Sequence, residues 1–200
     1  MNVTVIGAGG HVGLPFSLVC AKAGHKVYAI DRNEELLIAL DSGEVPYIEH
    51  GAKELLHEHL ESGNVEFTVN STYIKESDVV AIMLGTPVDQ ENNPRLDDLF
   101  SFVDYTLAPF MKKGTLILLR STVSPGTTEL VRDRIEAKTG WVEGQDFHLV
   151  FCPERVLQTR SIEETQILPQ TKRRFLPEDF KISSWEAFEP FFKNLLDSTC

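Results

Sequence analysis

Cysteine is scarce in this 200-residue sequence: Cys20, Cys152 and Cys200 are the whole supply. An odd, scattered set of three is neither a disulfide framework nor a zinc comb, and it points to a reducing, cytoplasmic setting. Long apolar runs are missing too. No stretch reaches the ~20 residues that a membrane helix needs. The N-terminus has no basic region leading into an apolar signal core, so neither a membrane partner nor a cleaved leader is expected. Basic charge is in deficit, since 19 Lys and Arg against 30 Asp and Glu give a net charge of -11. A surface of that sign repels a polyphosphate backbone, which argues against nucleic acid as a partner. A small phosphorylated ligand is not excluded, because backbone amides at a helix N-terminus can hold it. The histidines offer no metal site: His57 and His59 stand two apart in LHEHLE, on different faces of a helix rather than four apart on one.

What is present is an alternation. An apolar fraction of 42% over 200 residues is enough for one substantial core. Short β-rich runs over residues 3–6, 26–30, 65–69, 78–84, 115–119 and 148–151 read as strands. Helical spacing covers residues 12–23, 34–40, 52–61, 96–111 and 127–139, several of them closed by glycine. The last three strands are apolar throughout, as strands covered on both faces are. This order predicts an α/β fold, a Rossmann-like doubly wound parallel sheet with helices on both faces. The composition changes near residue 168, where charges cluster and no strand pattern follows. Trp185, Phe188, Phe192, Leu195 and Leu196 fall at helical spacing, interrupted by Pro190. The expected organisation is a binding domain over residues 1–170 and an atypical helical tail over residues 171–200.

The N-terminal run VTVIGAGGHVGLPFSLVCAKAGHKVYAID joins a strand, a cluster of four glycines, a helix and a second strand ending on an acid. Glycines at such a turn let the backbone approach a pyrophosphate, whose charge meets the positive end of the helix. An acid closing the second strand accepts hydrogen bonds from the adenosine ribose. Asp31 stands 18 residues after Gly13, close to the ~20 of dinucleotide sites. Gly7, Gly9, Gly10, His11 and Val12 in the loop, with Asp31 and Arg32, are therefore the candidate cofactor-binding residues. Two registers remain open. Counted from Gly7 the spacing is G-x-G-x-x-x-G; counted back from Gly13 it is A-x-G-x-x-G, with Ala8 at the first position. Asp31 repels a 2′-phosphate, which favours NAD over NADP, although Arg32 beside it works against that preference.

Ligands in an open parallel sheet lie beyond the carboxyl ends of the strands. Three polar segments fall there: GTPVD at 85–89, STVSPGTT at 121–128 and CPERVLQ at 152–158. Turn chemistry alone explains any one of them; three converging on one crevice suggest a site.

Together, GLPFS, VYAID, SGEVPYIEHGAKELL, GTPVD, STVSPGTT, PERVLQ and SIEE…LPQ make residues 1–170 resemble the N-terminal NAD-binding domain of the nucleotide-sugar 6-dehydrogenases, the UDP-glucose/GDP-mannose dehydrogenase family. PERVLQ with LPQ is similar to the branch that oxidises UDP-N-acetylhexosamines such as UDP-N-acetylmannosamine. The resemblance implies oxidation of a UDP-sugar's C6 alcohol to a carboxylate, with two hydrides passed to two NAD molecules through a cysteine-bound thioester. By the same likeness Thr86 and Thr122 would lie along the nicotinamide half of the cofactor, Pro87 and Ser121 would also bind the cofactor, and Thr122 would help place the reacting oxygen or water. Glu154 would be the acid/base that activates water, and Arg155 and Val156 would join it in contacting the substrate.

The likeness also has gaps. The family's nucleophilic cysteine sits in a glycine-rich motif, and its catalytic lysine and asparagine come from a middle domain; none of these is expected within residues 1–200. Cys152 at a strand end and Cys20 on a helix read as inert, buried thiols. Thr159 stands where the family usually has glycine, and the basic TKRRF replaces an apolar strand. The face that the family packs against its middle domain would be bare, so self-association or a homo-oligomer is expected.

Overall fold

A computed structural model describes residues 1–91, 94–153 and 159–167. The candidates Glu154, Arg155 and Val156, and the helical spacing of residues 185–196, lie outside the described residues. Among the described residues, six strands form one all-parallel sheet: β1 (Asn2–Ile6), β2 (Lys26–Ile30), β3 (Val65–Thr68), β4 (Val79–Ile82), β5 (Leu116–Leu119) and β6 (His148–Phe151). Their order is β3-β2-β1-β4-β5-β6. The chain winds outward from β1 to β3, returns to β4 beside β1, and winds outward again to β6. The turning point between β1 and β4 is where such sheets leave a crevice.

Side chains alternate across the sheet and sort into two cores. Val79 and Ala81 of β4, with Leu116 and Leu118 of β5, face α1 (Gly13–Lys22), α3 (Ala52–Glu61) and α7 (Ser161–Ile167). Val80 and Ile82, with Ile117 and Leu119, face the layer containing α4 (Asp97–Phe102) and α6 (Thr127–Thr139). Helix α2 (Glu34–Asp41) follows β2 and is capped by the Asn33 side chain, which accepts from the Leu36 amide. The doubly wound sheet with helices on both faces agrees with the sequence reading.

Three details differ. The single helix expected over residues 96–111 is α4, a π-helical turn (Val103–Leu107) and the short α5 (Ala108–Phe110). Pro109 has no N–H to continue the ladder, and the turn preceding it widens. A 3₁₀ turn (Ser71–Glu76) and α7 carried no sequence signal that separated them from loop. Among the described residues no helix is long and apolar enough to cross a membrane.

Candidate functional site

The glycine loop is set by what would collide with a side chain. Gly7 follows β1 with φ +81°, and a Cβ there would stand 2.6 Å from the Met83 carbonyl oxygen. A Cβ on Gly13 would meet the Gly7 carbonyl oxygen at 2.1 Å. The two ends of the loop are thus packed on each other, and the register from Gly7 to Gly13 is the one the backbone uses. Gly9 is crowded by Leu36 and lies beside Asp31. Gly10 has the most room: its nearest neighbour would be the Gly7 carbonyl at 3.5 Å. Val12 immediately precedes α1 in a helical conformation, and its carbonyl accepts from the Phe16 amide at 3.2 Å.

Asp31 closes β2 and holds the loop. One carboxylate oxygen accepts from the Gly9 amide at 3.0 Å and the other from the Asn33 amide at 3.1 Å. A cleft of about 790 Å³ opens beside it, lined by Gly7, Gly10, Asp31, Pro87, Phe102 and Thr106 among others. Glycine on the loop wall and an acid at the rim suit a dinucleotide, with the pyrophosphate on the glycines and the ribose at Asp31. Arg32 lines the same cleft, and its guanidinium pairs with Asp98 at 3.4 Å across solvent, a weak contact. Phe102, Thr106 and Ser71 line this cleft and had no signal in the sequence, because they come from the end of α4, a π turn and a 3₁₀ turn.

Tyr47 is the largest omission of the sequence reading. Its hydroxyl donates to the Gly10 carbonyl at 2.9 Å, with the Gly9 carbonyl at 3.3 Å, and its ring lies 4.1 Å from that of His11. Burial first, then the carboxylates of Glu49 and Asp31, push its phenol well above the ordinary range, so it remains a donor. His11 is therefore packed against a neighbour within the loop.

The ends of β4 and β5 are drawn together. Thr86 donates its hydroxyl to the Thr122 carbonyl at 2.6 Å, and Ser121 donates to the Leu84 carbonyl at 2.8 Å. Thr122 itself is exposed and Ser121 buried. Beneath them Arg120, 2% exposed, places its guanidinium over the Phe16 ring and 3.5 Å from the Cys152 sulfur. Cys20 and Cys152 are both fully buried. Burial pushes the Cys20 thiol up to about 12 despite the opposing pull of Arg120, which leaves it unreactive. No group of three or more His, Cys, Asp or Glu among the described residues could hold a metal.

A sequence model for the NAD binding domain of the UDP-glucose/GDP-mannose dehydrogenase family matches residues 1–171. The chain belongs to that family. UDP-N-acetyl-D-mannosamine dehydrogenase of Pyrococcus horikoshii is 34% identical over 164 residues, 82% of this chain and 38% of the relative. Among solved structures, UDP-D-ManNAc dehydrogenase from Pyrococcus horikoshii superposes with a TM-score of 0.86 at 28% identity, covering 98% of this chain and 45% of the other. The UDP-N-acetyl-mannosamine dehydrogenase Cap5O from Staphylococcus aureus gives 0.85 at 30% identity, over 98% and 46%. The chain thus spans under half the length of these relatives. Its place as an NAD-binding domain of the nucleotide-sugar dehydrogenases makes NAD its cofactor, and the UDP-N-acetylmannosamine branch read from PERVLQ and LPQ is the one that these relatives represent.

Proposed function

We propose that this domain serves an NAD-dependent oxidoreductase that converts the C6 alcohol of a UDP-N-acetylhexosamine, UDP-N-acetylmannosamine first, to the uronic acid. The observation that carries the reading is the set of relatives named UDP-N-acetyl-D-mannosamine dehydrogenase, matched over most of the chain. Bound NAD supplies the hydride acceptor. Gly7, Gly9 and Gly10 give the pyrophosphate its approach, and Asp31, already hydrogen-bonded to the loop, takes the ribose diol. Thr86, Pro87, Ser121 and Thr122 bound the nicotinamide end, where the Thr86–Thr122 hydrogen bond fixes the spacing of the two strand-end loops. Glu154 is proposed as the acid/base and Arg155 as the contact for the substrate's anionic groups, a task that a guanidinium fork suits. Val156 is proposed as a further contact to the substrate.

Residues 1–170 act in this reading as the cofactor domain and residues 171–200 as a helical tail. A second reading, an NAD-binding module without turnover, is favoured by the burial of both described cysteines. The deciding experiment gives the native protein NAD and a panel of UDP-sugars, following NADH by absorbance and the product by mass. A uronic acid formed faster from UDP-N-acetylmannosamine than from UDP-glucose supports the first reading. Preference for UDP-glucose moves the substrate to that branch of the family, and NAD binding without any uronic acid selects the second.

A further inference from the structure

One short segment holds both the glycine loop and the start of α7. Residues 42–51 lead from α2 to α3. Midway, Tyr47 donates to the Gly10 carbonyl and packs on His11. Two residues later the grip changes partner. Glu49 is 8% exposed, and its Oε1 accepts from the Ile162 amide of α7 at 3.2 Å. His50 donates its backbone N–H to the Thr159 carbonyl at 3.0 Å. Thr159 carries φ +79°, the one non-glycine residue with positive φ among those described. A β-branched residue there is strained unless its surroundings hold it.

Stability alone does not account for Glu49. Its Oε2 is buried with no hydrogen-bond partner among the described residues, an arrangement that costs free energy. An apolar residue would fill the place without that cost but could not grip α7. The segment that Glu49 and His50 grip begins directly after CPERVLQ, the stretch that carries Glu154 and Arg155.

We propose that Tyr47 and Glu49 are positioning residues that couple NAD binding at the glycine loop to the start of α7. The coupling rests on the reading under Proposed function. A pyrophosphate seated on the loop fixes the Gly9 and Gly10 carbonyls, these fix Tyr47, and the short link passes the constraint to the Glu49–Ile162 and His50–Thr159 hydrogen bonds. Such coupling is reciprocal. Glu49 therefore affects NAD affinity although its side chain is hydrogen-bonded to α7 and not to the loop.

The test uses the 200-residue chain with NAD. Amide exchange at His50 and Ile162 is measured with and without saturating cofactor, and NAD affinity is measured by calorimetry. NAD is expected to slow exchange at both amides in the unaltered chain, and Tyr47→Phe is expected to abolish that slowing even at saturation. Glu49→Ala is expected to weaken NAD about fivefold or more, the lower end of measured couplings. Glu49→Gln keeps an acceptor for Ile162 and is expected to restore most of the affinity. NAD binding with unchanged exchange overturns the coupling while leaving the cofactor site intact. Absence of NAD binding overturns the site and the coupling together. Should Glu49→Ala not fold, Tyr47→Phe decides alone, and slowing that survives in it overturns the proposal.

Discussion

Gly13 shows how much one absent methyl group decides. Its Cβ would lie 2.1 Å from one backbone atom of Gly7 and 2.7 Å from the Ala8 Cα, and no flexible side chain can move aside for it. Gly13→Ala is therefore expected to destabilise the fold by about 1–3 kcal/mol, the cost of overpacking, and to abolish measurable NAD binding. Gly10→Ala is the control, since its added carbon meets only ordinary contact, and a shift within about 0.5 kcal/mol is expected. Urea denaturation of both variants checks the pair; equal stabilities would show that the loop relaxes more freely than its packing allows. At this scale the sequence was half legible. The glycines and Asp31 announced themselves, because dinucleotide chemistry restricts those positions to few residue types. The choice between the two glycine registers was not legible, because it depends on Met83, which directly follows β4 and is far from Gly7 in the sequence. Tyr47 was hidden for the same reason: nothing near it in sequence shows that its hydroxyl lands on the loop.

The elements that the sequence announced are those with a burial pattern of their own. Strands β4 and β5 are apolar on both faces and read as strands without a partner in view. Helix α7 has seven residues and its first turn is held by Glu49, more than a hundred positions upstream, so no local spacing could reveal it. Its approach passes through Thr159, which carries φ +79° and, by the family likeness, replaces a glycine. Thr159→Gly removes the left-handed strain, worth about 1–2 kcal/mol for a residue with a Cβ, against some loss from a more flexible unfolded chain. A net gain of about 1 kcal/mol is expected, read as a higher thermal midpoint; a lower one would mean that the side chain stabilises its unusual backbone. Helix α3 carries the other element-scale prediction. His59 is 3% exposed, and neither ring nitrogen has a hydrogen-bond partner among the described residues. Burial holds its imidazole below the ordinary value, with Glu58 opposing and Lys22 adding to the lowering. His25 is lowered too, by burial and then by the N-terminal ammonium. The unfolded chain takes up protons near pH 6.5 that the folded chain refuses. Stability is thus fully present above that pH and falls as the pH drops, until the folded imidazoles also protonate. The lowered carboxyls of Asp78 and Asp146 act in a more acidic window and do not obscure this one. Urea midpoints at pH 7.5 and 5.5 are expected to differ less in His59→Leu than in the unaltered chain, and equal differences would remove His59 from the account.

For the whole molecule, the doubly wound topology follows from alternation of elements, which local patterning records well, and the cleft follows from the turning point between β1 and β4. What the sequence could not supply is the convergence of side chains from α4, the π turn and the 3₁₀ turn on that cleft, since their places depend on packing across the sheet. The same convergence bounds what a polypeptide of these 200 residues can do. Hydride removal from an alcohol needs a cofactor site, which in the proposed reading is built from the glycine loop and Asp31. Oxidation on to a carboxylate, in the way the family likeness implies, also needs a thiolate to hold the aldehyde and a cation or amide to stabilise the developing oxyanion. Cys20 is buried with its thiol pushed up to about 12, and Cys152 is fully buried beside Arg120. Neither of these two, the cysteines among the described residues, is presented to the cleft-lining surface, and Cys200 has no glycine-rich motif around it in the sequence. The purified 200-residue polypeptide is accordingly expected to bind NAD and to release no uronic acid from any UDP-sugar. Incubation with NAD and the UDP-sugar panel, followed by absorbance for NADH and by mass for product, checks both halves at once. Sustained NADH formation with a uronic acid would place an active thiol within these residues. Cys152, the one nearer the strand ends where GTPVD and STVSPGTT meet, would then be the first to replace with serine: loss of turnover with NAD affinity unchanged would identify it as the nucleophile.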